Sequence, residues 1–373
     1  MSFTSALQGF YGIIGPNIPI PKINNLFQLF TGNGIIQGVF IENDTITPIH
    51  HKIKTNPFHP IGVANTAIIQ LQHKQYALFE RDLPYQINID FAKKQIHTIG
   101  RKHIRGVHHI SGHSKLHKGV VHSLEYSILR KSVSLLFLTP DFELIQKHRI
   151  HMNYIPLVHD FLTMQNTTII TDSPIQFSLS LLLQKKFPIH LNALLPTFIH
   201  VMDRIEQKTV YTCNTSFFVF HYAYGIETED QIEVYAPIYY QLNFSTIHIQ
   251  GIYSKLVLYK KTREITIESS AELEKYNLDF PIVWNEYCIL RNIEGHKING
   301  FIVCKGLTVH KTIWLPLAIC GEPSIFNDKL LCIGYDIHYS SYFMVVHLIE
   351  ETIVYYPLHT NATLGFHSVF FEK

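Results

Sequence analysis

No apolar run in this chain approaches the ~20 residues that a membrane-spanning helix needs, and no Gly-, Ser- or Pro-rich linker divides it. Helical membrane spans and a string of separate modules are therefore not expected. Cysteine is scarce. Cys213, Cys288, Cys304, Cys320 and Cys332 form no CxxC pair and are odd in number. That fits neither a disulfide framework nor a thiolate zinc site, and a reducing, cytoplasmic compartment is the simplest expectation. Charge is sparse as well, at 16% of residues with a net +2, and no Lys/Arg stripe interleaves with aromatics. Such a surface has no electrostatic footprint for nucleic acid. The opening MSFTSALQGFYGIIG lacks a basic flank and a clean apolar segment, so a secretory leader is not expected. Serine nucleophile elbows, HExxH pairs and P-loops are all missing.

Hydrophobic residues make up 46% of the chain, enough for a sizeable core and against disorder. They fall in period-two, β-branched and aromatic runs: 132–138, 166–171, 231–240, 255–259, 264–269, 343–349 and 352–358. Turn signals separate them at 139–142, around Lys261 and at 338–341. Sustained helical periodicity is scarce, the best candidate being Phe177 to Leu183. Pattern alone therefore predicts an all-β chain of successive antiparallel hairpins, in a sandwich, a barrel or a propeller.

Histidine is abundant at 24 copies, so any one of them is by default an ordinary strand or surface residue. Four stand out because each sits in a strand-like context: GHSKL at His113, IPLVHDF at His159, FVFHYAYGIE at His221 and GFHSVFF at His367. Neutral imidazole suits Fe(II), and ligands drawn from distant segments need a scaffold that points several strands at one centre.

These segments carry a resemblance. Together with GPNIPIP, FTGNGIIQGVFI, VANTAIIQLQHKQYALFERDLPY, LDFP at Asp279 and ICGEPSIF around Glu322, they resemble the carotenoid cleavage oxygenases nearly end to end. The resemblance implies a seven-bladed β-propeller, residues 1–373 as a single domain, with a short helical and loop dome over a central metal. Seven blades would give roughly 50 residues each. It further implies one Fe2+ per chain held by His113, His159, His221 and His367. Ser114 and a shortened turn replace the family's Pro and Asp-Pro turn after the first ligand, which leaves His109 and His117 as alternatives to His113.

The family's second row of carboxylates maps to Glu80, Asp279 and Glu322, expected to orient His159, His221 and His367 respectively and to balance the metal's charge. Asp279 departs from the family's Glu. The missing methylene shortens its reach by on the order of 1.5 Å, so a direct bond would require backbone adjustment and an indirect one a bridging water. Thr66 would shield one open coordination position. The implied reaction is O2-dependent cleavage of a conjugated C=C bond of a carotenoid or apocarotenoid into carbonyl products, without an organic cofactor. A retinoid-isomerase-like activity and a lapsed carotenoid- or lipid-binding propeller are the alternatives. Phe79 before Glu80 is closer to carotenoid and apocarotenoid cleavers than to stilbene cleavers, which carry Lys there. The partners expected are an apolar polyene and O2, with peripheral membrane contact through 177–202, where Lys185 and Lys186 adjoin a Leu-rich stretch; no sequence feature points to a protein partner.

Overall fold

The computed structural model describes residues 7–55, 63–184, 187–203, 208–244, 249–295 and 297–373. Antiparallel strands dominate, and the α-helical turns among these residues are short: Leu26–Thr31 and Leu179–Leu183. The second matches the expected helical stretch except that Phe177 ends the strand Ile175–Phe177 and Ser178 caps the helix, its hydroxyl accepting from Leu181 N–H. Lys185 and Lys186 lie outside the described residues. No helix among the described residues is long and apolar enough to cross a membrane. The strands anticipated from period-two runs are present, for example Ser132–Leu138, Gln231–Tyr239 and Ser340–His347.

The chain forms two compact units. The first comprises Met1–Ser114, Pro140–Leu144 and Leu315–Lys373, the second Lys115–Thr139 and Ile145–Trp314. In the first unit, Thr45–Lys52, Gly34–Glu42, Gly9–Pro16 and Ser368–Glu372 form one sheet in that order. The chain's last strand thus pairs with its first, from Gly9 opposite Glu372 to Ile13 opposite Ser368. Gly9–Pro16 is buried along its whole length. The cause is visible in its period: Phe10 and Ile14 enter one apolar cluster with Ile36 and Phe40, while Tyr11 and Ile13 enter another with Val39 and Phe343. Apolar packing on both faces explains an uninterrupted hydrophobic run where a half-exposed strand would alternate.

A second sheet of the same unit runs through Ala67–Leu71, Lys74–Leu78, Tyr85–Asp90 and Gln95–Arg101. In the second unit the same four-stranded plan recurs, as in Leu162–Thr163, Thr167–Asp172, Thr197–Asp203 and Lys208–Cys213. One eight-stranded sheet begins at Leu278–Trp284 and ends at Ile353–Asn361, and its strand Thr308–Ile319 contains the boundary between the units. Taken as two sets, it brings the described four- and five-stranded sets to seven.

Asp82 anchors the segment leading to His113. Its side chain is 0% exposed. The carboxylate accepts from Arg101 Nε at 2.8 Å and from Leu83 N–H at 2.7 Å. Its backbone carbonyl accepts from Ile110 N–H at 3.1 Å. Removing one partner of a buried ion pair strands the other, which costs about 3–5 kcal/mol. Asp82→Ala is expected to lower unfolding free energy by about that amount, measured by urea denaturation, and an effect within ~0.5 kcal/mol of zero would refute this anchoring role.

Candidate metal centre

Each unit brings two of the histidines together. In the first, the rings of His113 and His367 lie 4.5 Å apart between centroids and cross at 87°. His113 ends a tight polar turn. Its N–H donates to Ser111 Oγ at 3.0 Å, and Ser114 Oγ donates to Ser111 O at 2.9 Å. Ser114, standing where the family has Pro, thus becomes part of the turn that presents the ring. Gly112 makes this approach feasible, because a Cβ there would come within 2.7 Å of Thr66 Cγ2 and 3.4 Å of Glu80 Cγ. His117 lies elsewhere, its ring 5.6 Å from that of His122 in a cavity also lined by Phe137 and His148. His109 precedes the residue of the Asp82–Ile110 bridge.

His367 is placed by main chain on two sides. Its carbonyl accepts from Ile14 N–H at 3.1 Å, and its own N–H faces Thr66 O at 3.4 Å. The ring Nδ1 is 3.0 Å from Glu322 Oε2, and Glu322 N–H donates to Phe366 O at 2.9 Å. Thr66 is 4% exposed.

In the second unit the rings of His159 and His221 are 5.1 Å apart and cross at 77°. His221 Nδ1 lies 2.8 Å from Asp279 Oδ1. The shorter Asp side chain therefore reaches its histidine directly, and the strand bends to let it. Register with the neighbouring strand shifts between Asp279 and Ile282, and Phe280 has φ +50°. A bulge of this kind re-aims a side chain at the cost of ladder pairing. Phe280 is repaid with packing: its ring lies 4.6 Å from that of His221, and the Arg291 guanidinium sits 3.9 Å from its centroid. Arg291 Nη2 is also 3.6 Å from Asp279 Oδ2. Burial works to raise the Asp279 carboxyl, but the His221 imidazole, Arg291 and the Tyr239 hydroxyl outweigh it and hold the group well below the usual carboxylate range. Arg291, Tyr239 and Phe280 were not among the residues singled out from sequence, since no local motif marks them.

Where Nδ1–H donates to a carboxylate, Nε2 carries the lone pair and the ring becomes a more basic metal ligand. Neutral nitrogen donors of this kind suit mid-row transition metals such as iron, cobalt or zinc. The donor chemistry of both units therefore fits a bound metal ion.

The family model for the retinal pigment epithelial membrane protein matches residues 29–292. Among solved structures, a glutamate-to-glutamine variant of Synechocystis apocarotenoid oxygenase is similar to this chain with TM-score 0.79 and 16% identity, over 98% of this chain and 93% of that one. Cobalt-substituted Synechocystis apocarotenoid oxygenase gives TM-score 0.76 at 16% identity, with the same coverage of 98% and 93%. A chimera of that oxygenase with the retinal pigment epithelial membrane protein gives TM-score 0.78 at 16% identity, over 99% and 93%. At this identity the likeness establishes the fold, an all-β propeller.

With the bend at Phe280, the Asp279 carboxylate already sits 2.8 Å from His221 Nδ1, so a longer side chain has to displace one of the two. Asp279→Ala is expected to weaken Co2+ binding by about 10- to 100-fold. Asp279→Glu should instead destabilise the fold by about 1–3 kcal/mol through overpacking. Chelator competition and urea unfolding measure the two; an Asp279→Glu protein of unchanged stability would show that the bend is not matched to side-chain length.

Proposed function

The chain belongs to the carotenoid cleavage oxygenase family, and on that premise we propose that it is a mononuclear non-haem Fe(II) dioxygenase cleaving a conjugated C=C bond of a carotenoid or apocarotenoid. Both atoms of O2 would end in the carbonyl products. The observation that carries this reading is that each unit holds a close histidine pair, His113 with His367 and His159 with His221, in which one ring faces a carboxylate through Nδ1. In this proposal residues 1–373 act as one domain and the four histidines hold one Fe2+. Bound Fe(II) would supply the O2 activation that no side chain provides.

The protein's own contribution is orientation and charge. Glu322 and Asp279 fix the tautomers of His367 and His221, and Glu80 would do the same for His159. In this reading three carboxylates near four neutral ligands would offset the cost of burying a dication. Thr66, beside Gly112 and the His367 backbone, would restrict access to one coordination position. Phe79, adjacent to Glu80, favours an apolar polyene over a phenolic substrate. An isomerase acting on a retinoid ester would use the same ligands, and the chain length of the product separates the two.

The five cysteines are buried and unbridged, in keeping with a cytoplasmic location. We further propose peripheral contact with a membrane through 177–202. There Phe177 is 55%, Leu179 62%, Leu183 78% and Leu194 92% exposed. Apolar side chains presented this way can enter the headgroup boundary.

Two outcomes are expected. Anaerobic reconstitution should load one Fe2+ per chain, His159→Ala should lose most of it, and labelled O2 should appear in aldehyde products. Metal binding without label in any product, across carotenoid, apocarotenoid and stilbenoid panels, would reject the dioxygenase. In vesicle co-sedimentation, Leu179→Ser with Leu183→Ser should reduce binding at least fivefold; a wild-type protein that stays in the supernatant would reject membrane contact.

A further inference from the structure

Asp279 orients the ring of His221 but does not fix where the two histidine-bearing backbones lie relative to each other. We propose that Asp160 does this, as a positioning residue for His159 and His221 with Lys115 as its counterion; the inference rests on the metal-site reading above. Asp160 is 5% exposed. Its Oδ1 accepts from Phe161 N–H at 2.7 Å and from the Lys115 ammonium at 2.8 Å. Its Oδ2 accepts from Tyr222 N–H at 3.1 Å.

Phe161 lies two residues after His159, and Tyr222 directly follows His221. One carboxylate therefore bridges two histidine-bearing segments that are remote in sequence. Hydrogen bonds to an ionised acceptor are about twice as strong as neutral ones. The far ends of the bridge are fixed too. The Tyr222 hydroxyl bonds to Thr171 on the strand Thr167–Asp172, and the Lys115 ammonium lies 5.1 Å from the Phe161 ring centroid. Lys115 is also two residues past His113 along the chain. Metal ligands must be held within about 0.5 Å of productive geometry. Without Asp160 the two backbone N–H groups and the ammonium lose their shared acceptor, and the segments can meet that loss only by moving.

The test compares Asp160→Ala, Asp160→Asn and Lys115→Met with Glu125→Gln. Glu125 is a buried carboxylate of the same unit that pairs with Lys147 across the intervening strand Ser132–Leu138 of its sheet. Co2+ affinity and the visible absorption of the Co2+ protein are one readout, and side-chain 15N NMR of histidines in metal-free protein is the other. Asp160→Ala is expected to weaken Co2+ binding 10- to 100-fold and alter the spectrum, with Asp160→Asn intermediate because it still accepts from Tyr222. Lys115→Met should weaken binding about threefold, and Glu125→Gln should leave both unchanged. Asp160 variants that bind Co2+ with wild-type affinity and spectrum overturn the proposal. Should wild-type protein bind no Co2+, the metal reading fails by itself. The metal-free spectra then decide the positioning role: shifted His159 and His221 ring signals in the Asp160 variants support it, and wild-type signals overturn it. If Asp160→Ala does not fold, Asp160→Asn and Lys115→Met carry the same comparison.

Discussion

An imidazole that binds a metal gives one nitrogen to the ion, and the other must be held as a donor or the ring is free to flip and its basicity is lost. The site described above depends on that constraint. His221 meets it with Asp279 and His367 meets it with Glu322, at 2.8 and 3.0 Å. A carboxylate in such a place is expensive to bury unless other groups also stabilise its charge. Around Asp279 those groups are Arg291 and Tyr239, which is why, in the second unit, the strand Tyr287–Glu294 carries an arginine directed at Asp279 and the strand Gln231–Tyr239 ends in a buried tyrosine.

The fold was legible in the sequence to the extent that its strands are local. Runs such as 132–138 and 231–240 show their period and end at recognisable turns, so the all-β class follows from pattern and the propeller from family resemblance. Histidine-bearing segments were legible for the same reason: PLVHDF and GFH are short and continuous. Illegible were contacts between residues remote in sequence. Nothing near Arg291 announces that it meets Asp279, and nothing in SGHSKLHKG says that Ser114 closes a turn on Ser111 or that His117 turns toward His122. Such facts depend on strand register, which a one-residue slip would reverse and which no single segment encodes.

Asp279 illustrates how a change of one methylene can be absorbed. Two routes were open: water between the groups, or displacement of the backbone. The protein takes the second, with a register shift after Asp279 and Phe280 in the left-handed region. A non-glycine residue with positive φ costs roughly 1–2 kcal/mol. Stacking of Phe280 against His221 and the cation–π contact with Arg291 are each of comparable size, about 0.5–2 kcal/mol. The strain is therefore offset where it arises, so the short carboxylate and the bent strand are one adaptation and not two.

The two units solve the same placement problem with different materials. His367 is located by main chain: it immediately precedes the strand Ser368–Glu372, and its carbonyl and N–H meet Ile14 and Thr66. Position there is inherited from sheet pairing, in which the last strand is added to the first. His159 and His221 lie outside regular strands. With no ladder to inherit from, their spacing has to come from side chains, and carboxylates are suited to this because one can accept several N–H groups from different segments at once. On this argument a buried acid next to a histidine in a strand-poor segment has a structural cause that a histidine at a strand end does not need. PLVHDF, where Asp160 follows His159, and GFHSVFF, where Ser368 follows His367 and opens a strand, then differ by physical necessity.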